Sequence, residues 1–312
     1  MTADNRTSQA DTYSGNRPEG GPDLSAMTFF SERRSLFFIA LLYFSDSLLI
    51  FSGRWITDSA GWLSVIVSGL IAAPAVLLCG RLIYSRGVSL PFLILSKIAA
   101  AVLIVVSLWL FADFLHRCVS MEVVRWLIPV FIFLTAAFAA FKDFAIIKRS
   151  ASLLAAIAAV FLAVSVLLLW SRIDFSNIRH LFHGEKSFLF QCIFFTSMFT
   201  VKGILLTEIL RVENTIGRTG PAIVASGLLL SALLIAAIQL ITLTVLGDRL
   251  YSLIEYPVYY TLGMTKHGDY FERTEVISLA VFMITLTFKC SVLMRIILPH
   301  RGDKRKDGHD GR

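Results

Sequence analysis

Charge is what this chain has least of. Only 16% of its 312 residues are Asp, Glu, Lys or Arg, 56% are hydrophobic, and the mean hydropathy is +0.73. A soluble domain carries about 25% charged residues, so an ordinary water-facing surface is excluded. Cysteine is scarce as well. Cys79, Cys118, Cys192 and Cys290 lie far apart in mostly apolar surroundings, without metal or disulfide spacing. They read as small buried hydrophobes. His116, His180, His183, His267, His300 and His309 fall in loops or in the tail, and no nucleophile–base arrangement accompanies them. The sequence thus points away from an enzyme and to no cofactor or metal. Strict apolar–polar alternation is missing, which excludes a membrane β-barrel. The net charge of +7 is spread between apolar runs rather than gathered in a patch, so nucleic acid is not an expected partner.

What the chain has instead is hydrophobic length. Apolar runs near 20 residues recur, each able to cross about 30 Å of hydrocarbon. The expected fold class is an all-α polytopic membrane protein surrounded by membrane lipid. Its spans are expected at 35–53, 62–83, 97–115, 124–141, 151–170, 188–207, 222–246 and 274–298. Residues 1–28 read as a disordered cytoplasmic tail, polar and without an apolar stretch. Residues 29–299 form the helical transmembrane domain, and 300–312 a basic cytoplasmic tail. Of the 29 basic residues, 18 fall on one side of these spans and 9 on the other. That bias places both termini in the cytoplasm. Lys202 and Lys289 fall inside spans.

Polar residues inside spans mark the candidate site. The run Leu36 to Phe51 carries Ser45, Asp46 and Ser47 near its middle. A carboxylate at that depth costs a few kcal/mol on insertion scales. Three adjacent side chains that bond backbone favour a local break in the helix. The sixth span concentrates Thr196, Ser197, Thr200, Lys202 and Gly203 in its second half, next to Phe199, and reads as a second broken helix. Two readings of Lys202 stand open: an interior partner for Asp46, or a side chain snorkelling to the inner surface near Glu208. Lys289 has the same pair of readings, interior cation or snorkel. Pro74 predicts a kink in the second span. Val88 to Ser96 reads as a short surface helix. The Tyr-rich stretch from Asp248 to Phe271 reads as an amphipathic helix over the outer face.

Several of these stretches resemble the spore-germination permease family, the B-type, permease-like subunit of nutrient germinant receptors. Tyr256-Pro257-Val258-Tyr259 matches its Tyr-Pro element. Gly268-Asp269 and Glu272-Arg273-Thr274-Glu275 match its Gly-Asp-Phe and Glu-Arg-x-Glu elements, and Lys289 its lysine in the same span. Ala60 to Val65, Leu110 to Phe114 and Asp174 to Asn177 match further upstream. The resemblance implies a leucine-transporter-like helical bundle, here reduced to eight spans from ten, with spans one and six side by side. It implies ligand binding between them, at Ser45, Asp46, Ser47, Phe199, Thr200, Lys202 and Gly203. Where the family has Gly at the first break and Gly-Glu at the second, this chain has Asp46 and Lys202-Gly203. Structural or signalling roles are implied for Tyr256, Pro257, Asp269, Glu272, Arg273, Glu275 and Lys289. The implied function is sensing a small nutrient such as an amino acid in a bacterial spore inner membrane, with A-type and C-type receptor subunits as partners. Proton-coupled amino acid transport and a structural subunit without ligand are the alternatives.

Overall fold

The computed structural model describes residues 35–36, 38–45, 60–86, 89–118, 126–142, 144–174, 177, 185–212, 219–264 and 274–298. All regular structure among them is helical. We label α1 the helical residues 35–36 and 38–45. It is followed by α2 (Gly61–Arg86), α3 (Leu90–Cys118), α4 (Leu127–Ala140), α5 (Phe144–Leu169) and α6 (Glu185–Val212). After these come α7 (Gly220–Leu253), α8 (Pro257–Gly263) and α9 (Thr274–Ile297). Six of them, α2, α3, α5, α6, α7 and α9, are long and apolar enough to cross a membrane. The protein is therefore an all-α polytopic membrane protein. With 14 residues α4 is only about 21 Å long, short of the hydrocarbon thickness. The tails 1–28 and 300–312 lie outside the described residues.

α1 is the axis of the bundle. From Phe38 to Ser45 no side chain is more than 6% exposed. Ile39 lies against α7 at Gly227, and the Phe38 ring meets Phe144 of α5 edge-on at 5.8 Å. Tyr43 lies against Phe199 of α6 at 6.0 Å. On one side α2 packs along both α7 and α6, its most extensive neighbours. Small residues let these backbones close up: a Cβ on Gly69 would lie 2.7 Å from that of Ala232. On the other side α9 packs against α4 and α3, and α5 flanks it. The α4 end is fixed by Arg295 of α9, which donates to the carbonyls of Ala140 (3.2 Å) and Lys142. A cation there suits the negative end of the helix dipole.

Three expectations are corrected. The short surface helix at 88–96 does not exist separately, because the apolar sequence carries on from Leu90 and the segment forms the first turns of α3. The sixth span is not broken: α6 is one helix through Lys202 and Gly203. Three of its hydroxyls are satisfied within the helix, Ser197 donating to the Phe194 carbonyl, Thr200 to Thr196 and Thr207 to Gly203. They leave the ladder intact. A break occurs in α7 instead, at Gly247, with φ 72° and ψ 161°. That left-handed φ is one that glycine adopts without penalty. The Thr244 carbonyl then accepts from the Asp174 backbone N–H (3.3 Å) and the Asn177 side-chain amide (3.1 Å). This is the described role of the Asp174 to Asn177 stretch. The third correction concerns the Tyr-rich segment. Its first residues, Asp248 to Leu253, continue α7, and the separate helix is confined to α8, which buries Pro257, Val258, Thr261 and Leu262 against α7 and α9.

Candidate functional site

The expected site residues divide by location. Ser45 closes the described part of α1, buried, its hydroxyl donating to the Leu42 carbonyl at 3.0 Å. Asp46 and Ser47 lie outside the described residues, so the expected break in span one and its pairing with Lys202 do too. Phe199, Thr200, Lys202 and Gly203 lie on consecutive turns of α6. The Phe199 carbonyl accepts a hydrogen bond from the Tyr43 hydroxyl at 3.2 Å. A Cβ on Gly203 would stand 2.4 Å from Val76 Cγ2 and 2.6 Å from that hydroxyl. Glycine at this position lets α1, α2 and α6 meet; it does not unwind α6.

Both interior lysines are inside the protein. Lys202 is 5% exposed and Lys289 is 3% exposed, so neither snorkels to the surface. They line one cavity of about 20 Å³ together with Leu42 and Tyr43 of α1, Leu206 of α6, and Val292 and Leu293 of α9. That is room for roughly one water molecule. The Lys289 ammonium donates to the Ser107 hydroxyl of α3. The junction of α1, α6 and α9 thus holds two lysine side chains in an otherwise apolar cavity. An anionic group in this cavity would be attracted by whichever of the two lysines is protonated, the more so in a low dielectric.

Glu208, expected to mark the inner surface, is also buried, at 4%. One carboxylate oxygen accepts from the Ser96 hydroxyl at 3.0 Å, and the other has no hydrogen-bond partner among the described residues. This contact ties α6 to the start of α3. Residue spacing missed it because Glu208 stands only three residues before Arg211, a place that ordinarily lies in headgroups.

A second polar cluster sits where α3 ends. The Arg117 guanidinium reaches Asp113 at 2.8 Å through Nε, and both Glu255 oxygens at 2.8 Å through one terminal nitrogen. The Tyr256 hydroxyl donates to the same Asp113 carboxylate at 3.2 Å. Burial, then the adjacent Asp113 charge, pushes the Tyr256 phenol well above its ordinary value. Phe114 anchors the apolar side of this contact, edge-on to Tyr256 and to Tyr259, both at 5.1 Å. The expected organisers of this region, Asp269, Glu272 and Arg273, lie outside the described residues. Of Glu275 only its place in the first turn of α9 is described. Among the described residues the Tyr-Pro element, Tyr256-Pro257, is held by Arg117 and Asp113. Sequence carried half of that signal, since Asp113 and Arg117 stand four apart on one helix face.

No group of three or more His, Cys, Asp or Glu able to hold a metal occurs among the described residues. Comparison with protein-family models, with curated proteins and with solved structures finds no match to the chain.

Proposed function

We propose that this protein is the permease-like membrane subunit of a nutrient germinant receptor, sensing a small anionic or zwitterionic nutrient such as an amino acid. The observation that supports this reading most is the convergence of Lys202 and Lys289 on one cavity walled by the central helix. A ligand carboxylate between the two ammonium groups would meet both. The cavity has room for about one water, so an amino acid enters only if α1 moves away from α6 and α9. Because α1 touches α5, α6 and α7 and shares the cavity with α9, that movement would reach most of the bundle and any A-type or C-type subunit docked on it. In the same reading the chain crosses the membrane eight times in a leucine-transporter-like arrangement, with both termini cytoplasmic.

The test is a thermal unfolding series on the purified protein in lipid nanodiscs, against a panel of amino acids. A ligand at 100 times its Kd raises stability by about 2.7 kcal/mol. One or more amino acids should raise the midpoint of the wild type but not of Lys202→Met or Lys289→Met. If no amino acid acts on a folded wild type, the sensing reading fails. The tight fit at Gly203 and the one-water cavity favour a second reading, a structural subunit whose centre is filled by its own side chains. A double-mutant cycle of Asp46→Asn and Lys202→Met separates the two. Strong coupling without any amino acid response identifies the structural subunit. Accumulation of amino acid in reconstituted vesicles would replace both with transport.

A further inference from the structure

A cleft of about 40 Å³ lies between α5 on one wall and α7, α8 and α9 on the other, with Phe44 of α1 at its base. It is separate from the lysine cavity and independent of the receptor reading. Three hydroxyls line it, those of Ser165, Thr242 and Thr261. Each is spent on its own helix, donating at 2.8 Å to the carbonyls of Phe161, Ile238 and Pro257 respectively. The cleft therefore offers a ligand no free donor and no charge, which excludes an amino acid headgroup. Phe161, Val166, Ile238, Ile241 and Val281 are only half-buried, so one flank is open. That flank is continuous with the outward side of α5, where Leu153, Ile157, Val160, Val164 and Leu167 are 44–72% exposed. In a membrane-spanning helix this side faces hydrocarbon.

We propose that this cleft is a binding site for an acyl chain of a membrane lipid. The lipid surrounding α5 supplies the chain, and the volume takes about three groups the size of a water molecule or a methylene. Lipid tails are as apolar as leucine, so exclusion from water contributes nothing to binding from the bilayer. What favours the chain is the dispersion contact an empty void would forfeit. The bound chain would fill a gap beside the direct packing of α5 on the bundle through Phe144, Ile147 and Ala151.

The experiment uses the whole protein in phosphatidylcholine–phosphatidylglycerol vesicles doped with a phospholipid carrying a diazirine in its acyl chain. After irradiation, cross-linked residues are identified by mass spectrometry. Cross-links are expected on Ala158, Thr242 and Phe282 inside the cleft as well as on outward residues such as Val160. Ala158→Leu fills the void, so its cleft cross-links should fall about tenfold while those at Val160 stay unchanged. Ser165→Leu, from the same wall, provides a second filled variant. Cross-links confined to the outward side of α5 in the wild type would overturn the proposal. So would cleft cross-links that persist in both folded variants. Labelling of the cleft by a small aromatic diazirine but not by the phospholipid would overturn it in favour of a small apolar ligand. If neither variant folds, the wild-type pattern alone decides.

Discussion

Gln239 carries an amide inside α7 at 2% exposure, and neither its oxygen nor its nitrogen has a hydrogen-bond partner among the described residues. A buried polar group left in that condition costs about 1–3 kcal/mol. Gln239→Leu, close to it in size, should therefore stabilise the protein by about that amount in thermal or denaturant unfolding. A loss of stability instead would mean that the amide has a partner in the membrane. Gly203 behaves oppositely. The Cβ of Gly203→Ala meets Val76 and the Tyr43 hydroxyl inside van der Waals distance, so one of three packed helices must shift. We expect a loss of about 1–3 kcal/mol in the same assay, the usual range for overpacking. Unchanged stability would show that the α1–α2–α6 junction yields easily. Lys202 was legible in the sequence as an intramembrane charge, but its location was not. Which face of α6 it occupies relative to α9 depends on packing between helices some 90 residues apart, which no local pattern encodes.

At the scale of elements, α8 and its attachment form the part most exposed to solution conditions. Arg117 holds Asp113 and Glu255 with side chains 22–34% exposed, so the ion pairs themselves are worth about 1 kcal/mol or less. Arg117→Ala should lower stability only by that much at low salt, and the difference from wild type should vanish at high salt. A salt-independent loss would assign Arg117 to packing. Tyr256 adds a pH dependence of known sign. Its phenol ionises less readily in the folded protein than in the unfolded chain, so the unfolded chain loses its proton first as pH rises. Stability is then complete below about pH 10 and falls above it. The wild type should lose more stability than Tyr256→Phe in an unfolding series from pH 9 to 11, and parallel curves would remove Tyr256 as the cause. α3, which carries Asp113 and Arg117, was read as an apolar span, 97–115, while the segment around Tyr256 was read as an amphipathic helix. The break expected in span six was misread, because serine and threonine that return a hydroxyl to their own carbonyl look, in sequence, the same as those that interrupt a helix. Only the left-handed φ at Gly247 distinguishes the break in α7 from the unbroken passage through Gly203.

At the scale of the whole molecule, the hydrophobic runs made the membrane class plain, and every expected span coincides with all or part of a helix. The number of crossings does not follow from that coincidence, since α4 is about 21 Å long. The basic-residue bias predicts that Gly184 and Gly308 lie on opposite sides of the membrane. Single cysteines at these positions should react with an impermeant thiol reagent from opposite faces, and reaction of both from one face would refute the eight-span topology. The arrangement of helices around α1 was beyond the sequence, because composition says which residues leave water and not which of them meet.

The central place of α1 has a consequence for how the protein is made. Leu42 and Val292 line one cavity, yet roughly 250 residues of synthesis separate them. At about 5–20 residues per second, α1 is synthesised some 12–50 seconds before the facing part of α9. For that interval Leu42 and Tyr43 lack the α9 wall of their cavity. A ribosome stalled before α9 should leave α1 accessible to membrane-embedded cross-linkers and to quality-control proteases. α1 thus completes its native packing only once α9, about 250 residues later, is in place.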